Sequence, residues 1–155
     1  MLAEHEVCKR IKLVDISPVL RVVDQLEFED SGGKCAWVTK RDSAAPRELQ
    51  ILLATLGLGG EARRVFCRKL PPRVGIAPHV DDYEAEWKIG GILRRFHIPL
   101  LSDPRVRMCW PNDGIEVYLE PGYLWEVRFD RLHEVIHEAD SPRIHLQIDQ
   151  VNATI

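Results

Sequence analysis

The sequence lacks several features that would assign it to a class at once. It has no long apolar run: Ile51 to Leu58, the most continuous stretch, is broken by Thr55 and Gly57 and falls short of the ~20 residues a membrane helix needs. No membrane contact is therefore expected. It shows no secretory leader, because Glu4, His5 and Glu6 stand where a positive and then an apolar segment would lie, and a cytoplasmic location is the expectation. Cysteine is sparse. Cys8, Cys35, Cys67 and Cys109 lie far apart with no C-x-x-C pair, so nothing points to a zinc knuckle or a dense disulfide framework, and reduced thiols are expected. Positive charge is not in excess, since 21 basic side chains against 24 acidic ones give a net charge of -3; no nucleic-acid partner is expected. Repeats, low-complexity tracts and linkers are absent as well.

What is present is an ordinary soluble composition, 45% apolar and 29% charged over 155 residues, the size of one domain with a sizeable core. Residues 1 to about 60 read as helical support. Ser17-Pro18 looks like a cap and a first-turn proline ahead of Val19, Leu20, Val22, Val23 and Leu26. A second helix is predicted from Pro46, with Leu49, Leu52, Leu53 and Leu56 at i, i+3, i+4 and i+7 and glycines at 57, 59 and 60 to stop it. Between them Lys34 to Lys40 reads as a strand. From about 62 to 150 the chain becomes short runs divided by turn signals such as Pro71-Pro72, Gly90-Gly91, Pro111-Asn112-Asp113-Gly114 and Pro121-Gly122, the texture of an antiparallel sandwich or barrel. Period-two alternation marks Leu93 to Leu100, Val106 to Trp110, Ile115 to Glu120 and Arg143 to Asp149, and Tyr123 to Phe129 is aromatic-rich. On the last of these strands Ile144, Leu146 and Ile148 face one way while Arg143, His145, Gln147 and Asp149 face the other. A polar face there is unexpected for a strand that merely meets core. Trp37, Trp110 and Trp125 are expected to fill core.

Five of the six histidines lie in the β-rich part. His79 and Asp81 stand at i and i+2, so on an extended segment an imidazole nitrogen and a carboxylate oxygen converge on one point. With His133 as third donor they would complete the two-histidine, one-carboxylate set that holds a metal on one face and leaves positions open. Alone, a His-x-Asp pair is as well explained by a cap or ion pair. Positive charge accompanies it, however. Arg95 and His97 share a face of one strand, and Arg143 follows His133 by ten residues; an arginine fork is suited to gripping a carboxylate.

The segments Ile76-Ala77-Pro78-His79-Val80-Asp81, Arg95-Phe96-His97-Ile98-Pro99-Leu100, Glu120-Pro121-Gly122, Phe129-Asp130 with His133-Glu134-Val135, and Pro142-Arg143-Ile144 up to Asp149 together resemble the aspartyl/asparaginyl β-hydroxylase family of iron(II)/2-oxoglutarate dioxygenases, with the cis-proline hydroxylases as relatives. That resemblance implies a mainly β fold, a double-stranded β-helix of the jelly-roll or cupin-like kind, here braced by N-terminal helices. It implies that His79, Asp81 and His133 bind Fe(II), that Arg143 grips the distal carboxylate of 2-oxoglutarate, and that Arg95 and His97 meet its oxalyl end. It further implies molecular oxygen as the second co-substrate and hydroxylation of an amino acid, of the aspartyl, asparaginyl or prolyl type. Some animal relatives lack the carboxylate ligand, whereas this chain offers Asp81. The stretch Asp82 to Leu93, with Trp87, is longer than in those relatives and is either a substrate lid or a packed loop. His145 and Gln147 either hydrogen-bond a polar substrate or form a buried, internally satisfied pair. No substrate-recruiting repeat domain accompanies the core, which favours a small-molecule, peptide or carrier-bound amino acid as partner.

Two other readings compete. His133-Glu134-Val135-Ile136-His137 matches the H-E-x-x-H zinc-peptidase signature, which needs a helix to bring its histidines together. Its extended form requires glycine at 140 and histidine at 143, where Asp140 and Arg143 stand. The second alternative is a metal-binding β-barrel without redox turnover, a sensor or binding module.

Overall fold

The computed structural model of the chain describes residues 1–30, 37–39, 46–81 and 91–155. Eleven strands are formed among them: β1 (Cys8–Leu13), β2 (Phe28–Asp30), β3 (Trp37–Thr39), β4 (Glu61–Leu70), β5 (Ile76–His79), β6 (Leu93–Leu101), β7 (Val106–Trp110), β8 (Ile115–Val117), β9 (Tyr123–Val127), β10 (His133–His137) and β11 (Arg143–Val151). Helices are short: α1 (Glu4–Val7), α2 (Ser17–Leu20), a 3-10 turn at Val23–Gln25, and α3 (Arg47–Thr55). The strands build a large sheet in the order β1-β9-β6-β11-β4-β3-β2 and a small one in the order β5-β10-β7-β8. Neighbours pair antiparallel, for example β11 with both β4 and β6. This is the two-sheet jelly roll expected of the fold class.

The alternation of β11 explains the layering. All nine of its residues are buried, because it lies mid-sheet with a layer on each side. Ile144, Leu146 and Ile148 join Phe96, Ile98 and Leu100 of β6 in a core that also takes Val19, Leu49, Leu52 and Leu56 from the helical side. Each fully buried side chain of this kind contributes about 1.5–3 kcal/mol. The other core joins the two sheets, with Leu70 and Trp125 from the large one against Met108 and Val135 from the small one. Trp110 and Trp125 are buried, and each indole N–H donates to a carbonyl, that of Arg128 at 3.1 Å and that of Glu120 at 3.2 Å. The polar residues of β11 therefore face a partly apolar interior between the sheets.

The described residues among the first sixty hold less helix and more strand than expected. The leucine-spaced helix forms at Arg47–Thr55, and Gly57, at φ 68°, turns the chain after it. The earlier helix stops after one turn, since Val19, Val22 and Val23 are β-branched and poor helix formers. Its capping differs too: Asp15 Oδ1 accepts from the Ser17 N–H at 3.0 Å. Strand β1 shows no alternation, its burial running from one buried residue to mostly exposed ones. It owes its form to pairing with β9. Of the strand expected at 34–40, residues 37–39 are described and extended.

Candidate metal centre

Strand β5 lies at the edge of the small sheet, a position that suits a strand containing Pro78, because proline has no N–H for a ladder. Gly75 permits the approach: a Cβ there would stand 2.2 Å from the Val135 carbonyl oxygen of β10. The register between β5 and β10 shifts by a bulge and sets His79 opposite His133, their ring centroids 4.3 Å apart.

Backbone carbonyls orient both rings. His79 Nδ1 donates to the Ala77 carbonyl at 2.8 Å, and His133 Nδ1 to the Arg131 carbonyl at 2.8 Å. A carbonyl can only accept, so in the neutral rings Nδ1 carries the proton and Nε2 keeps its lone pair. Both Nε2 atoms face one carboxylate. His79 Nε2 lies 3.4 Å from Asp81 Oδ1 and His133 Nε2 lies 3.8 Å from Asp81 Oδ2. Asp81 follows β5 and is fixed by its own N–H, which donates to the Phe129 carbonyl at 3.1 Å. The three donors lie within 4.8 Å of one another. Two lone pairs and an anionic oxygen converging in this way repel unless a cation or proton lies between them. The donor set, two imidazoles and one carboxylate, suits a divalent transition metal with open positions.

Electrostatics agree. Burial alone would raise the Asp81 carboxyl, but a hydrogen bond from His79 when its Nε2 carries the shared proton, together with the Arg95 guanidinium, outweighs it and holds it well below the usual carboxylate range. Burial lowers His133 below the ordinary histidine value, which favours the neutral form that binds a metal.

Beside this cluster opens a cleft of about 390 Å³, its mouth included, whose large-sheet wall presents His97, Gln147 and Arg143. Arg143 is 1% exposed. Its Nη2 donates to His145 Nδ1 at 2.8 Å and its Nε lies 3.2 Å from His145 Nε2; no carboxylate among the described residues pairs with it. Burial, and then Arg68, push its pKa down to about 9, which leaves it cationic at pH 7. His97 Nδ1 meets His145 Nδ1 at 3.3 Å. His97 Nε2 is buried with no hydrogen-bond partner among the described residues. Burial, and then Arg143, hold both histidines far below their ordinary value, so both are neutral. A buried cation with no carboxylate partner among the described residues suits that wall to an anion.

The structure thus brings His79, Asp81 and His133 together and sets Arg143, His97 and Gln147 around the cleft beside them. His145 stands behind Arg143 and holds it. Arg95 lines the cleft too, but its guanidinium is bonded to Asp149 and Asp81. Trp87 and most of the 82–93 segment lie outside the described residues. Sequence reading missed Asp149 as the partner of Arg95 and missed the carbonyls of Ala77, Arg131 and Phe129. Alternation put Asp149 on the inward face, but its partner depends on the β6–β11 register. The H-E-x-x-H reading fails on secondary structure. Residues 133–137 are strand β10, paired on both sides, and at about 3.3 Å per residue its histidines stand ~13 Å apart, too far to share a metal.

The model of the family described as aspartyl/asparaginyl beta-hydroxylase matches residues 24–153. The chain belongs to that family. The fold of this β-hydroxylase family member is similar to that of solved structures at low identity. An oxidoreductase of the 2OG-Fe(II) oxygenase family from Burkholderia pseudomallei has 13% identity and a TM-score of 0.67, covering 94% of this chain and 84% of its own. A viral collagen prolyl hydroxylase from Paramecium bursaria Chlorella virus-1, in complex with 2OG, has 10% identity and a TM-score of 0.60, covering 97% and 100%. A Pseudomonas putida prolyl-4-hydroxylase has 20% identity and a TM-score of 0.57, covering 88% and 86%. No curated protein matches. Among the described residues no helix is long and apolar enough to cross a membrane.

Proposed function

We propose that this β-hydroxylase family member is an iron(II)- and 2-oxoglutarate-dependent hydroxylase of an amino acid, free, peptide-borne or carrier-bound. One observation carries the reading. Two imidazoles tautomerically fixed toward one carboxylate stand beside a buried arginine that no carboxylate among the described residues pairs with.

His79 Nε2, His133 Nε2 and Asp81 would hold the iron. When bound, it supplies the one-electron chemistry that couples loss of carbon dioxide from a 2-keto acid to hydroxylation of a C–H bond. Overall, 2-oxoglutarate, oxygen and R–H become succinate, carbon dioxide and R–OH. Arg143 would receive the distal carboxylate as a counterion that no described residue supplies, and His97 would stand at the oxalyl end. His145 keeps the Arg143 fork from turning. Met108, Val127 and Val135, which line the same cleft, exclude water and so strengthen these charge interactions.

The experiment is anaerobic addition of iron(II) and then 2-oxoglutarate to the purified chain. A weak visible charge-transfer band is expected, and admission of air should yield succinate and carbon dioxide in equal amounts. Binding without succinate would instead identify a non-redox binding module. Screening amino acids and short peptides for faster succinate release then identifies the substrate.

A further inference from the structure

Two of the three metal donors are held by one stretch of irregular backbone. Residues 128–132 join β9 to β10 and belong to neither sheet. The Phe129 carbonyl accepts from the Asp81 N–H at 3.1 Å, and the Arg131 carbonyl accepts from His133 Nδ1 at 2.8 Å. A segment outside the ladders has no strand neighbours to fix it, so its carbonyls are only as steady as its anchors. At its start Arg128 donates its N–H to the Val7 carbonyl at 2.8 Å, and the Trp110 indole donates to the Arg128 carbonyl at 3.1 Å. Nearer His133 the anchor is an ion pair. Arg131 Nε and Nη2 fork onto Asp113 at 3.1 and 3.0 Å, and Asp113 Oδ1 also accepts from the Leu2 N–H at 2.8 Å. Asp113 stands in the 111–114 turn between β7 and β8, yet it is 5% exposed. An aspartate that merely formed the turn would stay in water; a carboxylate enclosed in this way needs charged and hydrogen-bonding partners.

We propose that Asp113 and Arg131 are positioning residues for the metal centre, their fork pinning the 128–132 segment to the β7–β8 turn. So pinned, the Arg131 carbonyl keeps His133 with Nδ1 protonated and Nε2 open toward the metal, and the Phe129 carbonyl keeps Asp81 beside it. The inference rests on the iron-binding reading above and adds to it two residues that do not line the cleft. Loss of the fork lets the Arg131 carbonyl turn away. The His133 ring is then able to rotate, or to take the other tautomer, in which Nε2 carries the proton and offers no lone pair. Partners that orient a ligand from behind typically change metal affinity 10–100-fold. The fork acts one step further out, through the carbonyl, so the lower end of that range is expected.

Cobalt(II) is the probe, titrated anaerobically into the full chain by calorimetry and by its visible d–d absorption. Nitrogen NMR of the histidine-labelled, metal-free chain reads the His133 tautomer. Asp113→Asn and Arg131→Gln should each weaken cobalt binding about tenfold, alter the d–d band and turn a single Nδ1–H tautomer into a mixture. Arg131→Lys, which keeps one charged donor, should recover most of the lost affinity. Because the two residues act as one pair, the double variant should lose no more than either single one. Should Asp113→Asn fail to fold, Arg131→Gln carries the test, since that side chain is 35% exposed. Arg105 forks onto Asp103 at 2.9 and 3.0 Å on a turn that holds no metal donor, and Arg105→Gln is the control that should leave all three readings unchanged. Fork variants that melt at a lower temperature yet keep the cobalt affinity, d–d band and tautomer of the unaltered chain would overturn the proposal. An equal loss of cobalt in Arg105→Gln would overturn it too. Failure of the unaltered chain to bind cobalt would overturn the iron reading instead, while the His133 tautomer would still report on the fork, so the two failures are distinguishable.

Discussion

The two walls of the cleft bury polar groups in opposite ways. On the small-sheet wall, His79 and Asp81 are partly exposed, with 32% and 23% of their side chains accessible. There each imidazole proton is satisfied by a backbone carbonyl, and only lone pairs face inward. On the large-sheet wall Arg143 is shut in between β4 and β6, its charge unmet by any described carboxylate. On the proposed function, the edge strand gives access and fixed donors through which a metal would enter and exchange. The central strand gives enclosure, so that the deficit of a buried cation would become affinity for an anion. A site for a metal and a dicarboxylic acid needs one wall of each kind.

The largest expected effect tests whether the walls are separable. His133→Ala should abolish metal binding by calorimetry while thermal unfolding of the metal-free chain shifts little. Next, Leu146→Ala, on the helix-facing side of β11, should cost about 2–5 kcal/mol of stability in denaturant titration and leave metal affinity unchanged. Arg143→Met, three residues away on the opposite face, should instead spare both stability and metal affinity and weaken 2-oxoglutarate. Affinity for 2-oxoglutarate should fall about 30-fold or more, the ~2 kcal/mol or more that losing one partner of a buried charge pair costs. The metal-free protein should lose no stability, since a charge buried without a counterion leaves with the side chain. Equal loss of metal in His133→Ala and Arg143→Met would break the comparison.

The smallest effect is on pH dependence, and it belongs to the large-sheet wall. His97 and His145 are held neutral in the folded chain, while unfolding restores the ordinary value of 6.5. Below that pH the unfolded state binds more protons, so stability falls as pH falls, by about 1.4 kcal/mol per pH unit for each histidine. Denaturant titrations between pH 7 and 5.5 measure the slope, and His145→Gln should reduce it by one histidine's share.

Much of this was legible in the chain. Alternation placed Arg143, His145, Gln147 and Asp149 on one face of a late strand, and the spacing of His79 and Asp81 allowed them to converge. The helix at Arg47–Thr55 followed from its leucines. Less legible was anything set by a neighbour. Strand β1 shows no pattern of its own, and β10 carries a run that passes for helix until β5 and β7 pair with it. Arg95 illustrates the same limit at the site, since its face was readable but its partners were not.

The amino-acid sequence by itself determined which residues could face inward and which chemistry they could carry, because side-chain direction follows from the local backbone period. Tertiary structure alone decided who meets whom. Register across β6 and β11 gave Arg95 to Asp149, the β5 bulge set His79 against His133, and enclosure by neighbouring strands left Arg143 without a carboxylate among the described residues. Those outcomes depend on contacts between segments far apart in the chain, which no local pattern encodes.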